Sequence, residues 1–261
     1  MSLGASYLTM RERFEGSDVY SDFSEPRIDR VTANLDVSVL GRAGWLAQAR
    51  VPIGWLRHDG DVGQPPVTLS GLGDVALSGG WRWLFGKRVE LTSLATVKMP
   101  TGQVTTAGVL SSTSMPTVVA IGNGTWSVGG RFALNWRVNE SYGLRVPLRI
   151  NLPLTHAVNG AKPGLGLRSG VEGFYIHSKG HVFSGGLNVG WRAQARFDSH
   201  GQILNSGGTL VAVQLATLLM FSDAWGAQLA GRIPLWRTVG GRQLSEWFSA
   251  SAAVVYRGSL L

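Results

Sequence analysis

The chain has no cysteine among its 261 residues. That excludes a disulfide framework and any thiolate-ligated metal. Charge is scarce as well. Asp, Glu, Lys and Arg make up 15% of the sequence, against about a quarter in ordinary soluble domains. Acids are the scarcer sign, 16 against 24 Lys and Arg, so the formal net charge is +8. A basic balance suits nucleic acid, an anionic surface or acidic ligands. Here the basic residues fall singly along the chain, which argues against a nucleic-acid partner. No apolar run reaches the roughly eighteen residues of a membrane-spanning helix. The longest, 209–221, is interrupted by Gln214. Residues 1–13 carry charges where a secretory signal needs an apolar core, so the expectation is a mature, exported chain without its signal.

What is present is alternation. From about Val31 to Tyr256, apolar residues alternate with polar or small ones. Val31, Ala33, Leu35, Val37 and Val39 are interleaved with Arg30, Thr32, Asn34, Asp36 and Ser38. A period of two places the sets on opposite faces of a β-strand. Twelve such segments are predicted. The first, about 4–14, is the least regular, with Leu8, Met10 and Phe14 on one face and Arg11 and Arg13 on the other. Later segments repeat the pattern more cleanly. Phe132, Leu134 and Trp136 oppose Arg131 and Asn135, and Leu144, Val146, Leu148 and Ile150 oppose Arg145 and Arg149.

The connections sort by length. Five are tight, around 41–42, 85–88, 139–140, 178–180 and 222–223. Six are long, about 15–27, 57–72, 100–124, 151–164, 198–207 and 237–245. Tight and long alternate throughout, as in an up-and-down barrel of the outer membrane. The predicted fold class is all-β: a 12-stranded antiparallel up-and-down transmembrane β-barrel of outer-membrane type, one domain over 1–261. Closure follows from lipid offering no partners to backbone N–H and C=O groups. An even strand count puts both termini in the periplasm. Trp45 and Trp55 lie ten residues apart on one segment, as do Trp126 and Trp136. Ten tilted strand residues span ~25 Å, the height of the apolar band between two aromatic girdles. Trp81, Trp83 and Trp225 sit beside tight turns. These seven tryptophans are the expected interface anchors, facing outer-membrane lipid and lipopolysaccharide.

With the apolar face outward, thirteen basic residues point inward: Arg30, Arg50, Arg82, Lys98, Arg131, Arg137, Arg145, Arg149, Arg168, Arg192, Arg196, Arg232 and Arg257. Only Asp36, Asp74, Glu90 and Glu172 oppose them. Thirteen cations cannot all pair with four acids. Rings of Arg or Lys select anions, so Arg50, Lys98, Arg131, Arg145, Arg149, Arg168, Arg192 and Arg232 are the expected solute contacts. The competing reading is structural: these residues hydrate the interior, bridge to the acids or hold an inward-folded loop. A twelve-stranded barrel is wide enough for a narrow passage or for a plug such as 100–124.

Three segments carry a family resemblance: Gly71-Leu-Gly-Asp74 opening a strand that runs to Trp83, Lys98-Met-Pro-Thr-Gly102 ending one, and Gly122-Asn-Gly-Thr-Trp126 re-entering. They resemble the MetA-pathway of phenol degradation family of outer-membrane transporter-like proteins, over roughly 70–136. Gln103 stands where an acid is common in that family. The resemblance implies a small-solute channel, with aromatic or poorly water-soluble substrates among its passengers, and it carries over no catalytic residue. Pro100 and Gly102 also read simply as strand terminators.

Little else in the sequence suggests chemistry. His58-Asp-Gly-Asp61 is a loose cation motif, and Asp198-Ser-His200 mimics part of a hydrolase set. Both read better as solvated loop residues. His156, His177 and His181 fall in or beside connections. No cofactor, metal or catalytic group is expected. The expected function is a passive outer-membrane channel for small anionic or polar and aromatic solutes. The alternatives are a barrel that sheathes or is plugged by an envelope protein partner, and a barrel-embedded hydrolase.

Overall fold

Wherever the two-residue rhythm runs, the chain is extended. The computed structural model describes residues 2–16, 18–20, 27–59, 66–102, 104–106, 118–120, 122, 124–157, 160–197, 201–202 and 206–258. Of these, side chains are not described at 2–3, 5, 9–16, 18–20, 27, 58, 104–106, 118–120, 197, 201–202 and 240–247. The first ten barrel strands are β1 (Ser2–Gly16), β2 (Arg27–Leu40), β3 (Trp45–Asp59), β4 (Ala76–Phe85), β5 (Val89–Lys98), β6 (Ser127–Arg137), β7 (Tyr142–Pro153), β8 (Gly166–Ile176), β9 (Val182–Arg192) and β10 (Gly208–Met220). The last element, Trp225–Tyr256, runs for 32 residues. Its limbs, 225–239 (β11) and 242–256 (β12), pair with β10 and β1 respectively. At its base Arg257 N–H donates to Ala224 O at 2.7 Å. The element is therefore a hairpin folded at 240–241. Every pairing is antiparallel, and β12 against β1 closes a 12-stranded barrel.

The barrel is apolar outside. Among the described residues the buried hydrophobic ones are Leu56, Leu94, Ala161 and Ala212, whereas Ile53, Leu215, Leu229 and Ile233 are at least half exposed. Such an outer surface is far larger than a soluble protein tolerates. It is stable where the surrounding solvent is hydrocarbon. The tight turns all lie at one end. Gly44, Gly86 and Gly180 have positive φ there (92°, 64° and 79°), a conformation glycine adopts without a Cβ penalty. In another of these turns Asn139 Oδ1 accepts hydrogen bonds from the N–H groups of Ser141 and Tyr142 at 2.9 and 2.8 Å.

Several expectations need correction. The connection 237–245 is not a long loop, because strand pairing continues into the fold at 240–241. The region 57–72 contains a strand, Val67–Leu72, which pairs with β3. Short pairings also extend other long connections: Asp18–Tyr20 on β1, Val104–Thr106 with Val118–Ala120, and Arg196–Phe197 with Gly201–Gln202. Arg196 thus leaves the barrel wall and bridges to Lys162 instead. Leu8 lies in register with Arg30 and Ser249 and faces the lumen. Tyr7 takes the outward position beside Val31 and Ala250. The faces of Met10, Arg11, Arg13 and Phe14, and the residues Gln103, Asp61, Asp198, Ser199 and His200, lie outside what the structure describes, as does the side chain of His58.

Candidate functional site

The inward phase of the strands builds the site. Arg131 on β6, Arg149 on β7 and Arg168 on β8 stand directly opposite one another in register. Neighbouring strands are ~4.8 Å apart, so the wall carries three guanidinium stems side by side. Two lumen cavities meet at Arg149. The first, of 250 Å³, is bordered by Arg50, Lys98, Arg131 and Arg149. The second, of 410 Å³, is bordered by Arg149, Arg168, Arg192 and Arg232. Arg145 borders neither of them and lies in register with Asn135 and Glu172. A larger depression of 770 Å³ lies on the outer wall, lined by Phe183, Leu215, Leu229 and Ala250. It faces away from the arginines.

The two cavities differ in charge. In the first, Arg50 Nε donates to Asp36 Oδ1 at 2.6 Å. Lys98 Nζ lies 3.1 Å from Asp74 Oδ2. Arg131 Nη2 reaches across the lumen to Gln48 Oε1 at 2.6 Å and Ser78 Oγ at 3.1 Å. Two of its four cations are thus paired with acids, and a third is held by neutral acceptors. Among the described residues lining the second cavity there is no Asp or Glu. Its neutral polar groups include Asn151 and Asn188, and Asn188 Nδ2 donates to Gln214 Oε1 at 3.3 Å.

The three motif segments converge beside the first cavity. Asp74, with a side chain only 3% exposed, pairs with Lys98 and accepts a hydrogen bond from Gly102 N–H at 3.1 Å. Thr101 Oγ1 donates to Gly73 O and accepts from Val75 N–H, both at 2.9 Å. A Cβ on Gly122 would collide with the Asp74 carboxylate. The motifs therefore join the ends of a long connection to the start of β4. Reading the segments one by one missed this, although their shared glycines and single acid were visible.

All seven predicted anchor tryptophans are exposed on the outer wall. Trp45 pairs in register with Trp81 at the tight-turn end. The ring of Trp225 meets that of Tyr256 at 4.8 Å, and Tyr142 meets Tyr175 at 5.0 Å, in the same zone. Near the opposite end, Trp191 and Trp236 join Trp55 and Trp126 as exposed aromatics. A register shift between Val211 and Ala212 leaves Leu235 as an extra residue on β11. That bulge lets Leu235 and Trp236 both face outward, which strict alternation could not foresee. His156 is exposed, and the rings of His177 and His181 stack at 5.7 Å beside a tight turn. No group of residues suited to holding a metal occurs among the described residues.

This architecture is that of a closed antiparallel β-barrel of outer-membrane type. The chain belongs to the family described as Putative MetA-pathway of phenol degradation, whose model matches residues 9–209. It is similar to the COG4313 outer membrane channel from Pseudomonas putida F1, with 15% identity and a TM-score of 0.74 over 98% of this chain and 94% of that one. It is also similar to the transport unit of the autotransporter AIDA-I from Escherichia coli, with 11% identity and a TM-score of 0.57 over 98% and 89%. No curated protein matches the chain. At these identities the likeness concerns the fold.

Proposed function

We propose that the chain is a passive channel of the bacterial outer membrane, with both termini in the periplasm, whose arginine-rich lumen favours small anionic solutes. The observation that carries this reading is the charge of the second cavity. Four arginines border it and no acid appears among its described lining residues. A wall of fixed guanidinium groups lowers the energy of an entering anion and raises that of a cation. The exposed apolar outer wall and its aromatic ends support the membrane placement. The family's name supports aromatic solutes as further passengers.

Reversal potentials of the purified protein in a planar bilayer under a KCl gradient test the reading. The expected result is chloride preference that weakens as salt rises, because screening shortens the reach of the arginines. Cation preference, or no conductance, overturns it.

A further inference from the structure

Resting on that channel reading, we infer that the second cavity is a binding subsite for small organic acids carrying two or more carboxylates. It lies toward the end of the barrel with the long connections, since its border includes the first residues of β8 and β10, Gly166 and Gly208, and the last of β9, Arg192. The lumen therefore holds a local anion site rather than an evenly basic wall. In the first cavity, Asp36 and Asp74 already neutralise Arg50 and Lys98.

Arg149 and Arg192 carry the argument; Arg168 and Arg232 share the cavity while also engaging other groups. Glu172, an acid of the neighbouring wall, lies in register with Arg145 and within electrostatic reach of Arg149, but it does not border the cavity. Arg149 and Arg168 stand directly opposite on adjacent strands. Gly190 faces Arg168, and a Cβ there would sit 3.7 Å from its Nε.

Guanidinium presents a planar fork that matches a carboxylate with two parallel hydrogen bonds. Four like charges around 410 Å³ repel one another, and that repulsion falls with the charge a ligand delivers. A monocarboxylate meets one fork, whereas a dicarboxylate meets two and relieves more of the repulsion. The amide of Asn151 offers a neutral donor to the ligand body.

The test is block of single-channel chloride current by succinate and glutarate, against acetate and inorganic phosphate. The dicarboxylates should block at concentrations about tenfold lower than acetate, as expected for one additional charge-assisted contact. R149Q and R192Q should each raise the half-blocking concentration of succinate about tenfold and that of acetate far less. R57Q, which removes a cation paired with Asp59 away from the cavities, should change neither. Equal block by acetate and succinate, or block indifferent to R149Q and R192Q, overturns the subsite. Equal block by phosphate overturns its carboxylate preference. A pore without chloride preference overturns the channel reading instead. Calorimetric titration of succinate into the full chain in detergent then decides the subsite alone, and absence of R149Q-sensitive binding sinks it.

Discussion

Asp74 shows how one side chain ties distant sequence together. Its carboxylate is almost fully buried and serves Lys98 and the backbone of Gly102 at once. A buried ion pair adds little net stability over apolar packing, but removing one partner strands the other. D74A should therefore lower unfolding stability by about 3 kcal/mol, read as a shifted urea midpoint in lipid vesicles. D74N keeps an acceptor for Gly102 and should cost less. G122A should destabilise by about 1–3 kcal/mol, because the added methyl meets the Asp74 carboxylate within a packed site. The glycines and the acid were legible in the sequence as a motif. Their common contact was not, because 28 residues separate Asp74 from Gly102.

Each strand has one face for lipid and one for the lumen, and the period of two decided which in nearly every case. Leu229 on β11 is 50% exposed on the outer wall, one residue from the inward Gln228. L229R should cost about 2–4 kcal/mol, as expected for a charge near the middle of the apolar band. Q228R should be nearly neutral, since the lumen hydrates it. Equal costs for the two variants in vesicle unfolding would contradict the assigned faces. Reading by period failed where the register slips. Alternation carries no signal for a bulge, so Trp236 was not expected outside. On β1 the few apolar side chains suggested an outward Leu8, and only its pairing with Arg30 and Ser249 places it toward the lumen.

The whole molecule depends on closure. Pairing of β12 with β1 closes the ring of twelve barrel strands, and in hydrocarbon an unpaired strand edge would expose a row of unsatisfied backbone groups. The unheated protein should resist SDS and run faster than the boiled chain on a gel. Loss of that shift on inserting a proline at Ala252, within the seam with β1, would locate the cooperative unit. Strand number, most faces, tight turns and membrane setting were already determined by the sequence, because alternation and loop length are local properties written in consecutive residues. The tertiary structure alone decided that Asp36 and Asp74 neutralise part of the inward charge while the cavity around Arg149, Arg168, Arg192 and Arg232 is bordered by no described acid. That distribution arises from register across strands, and register brings together residues that the chain keeps far apart.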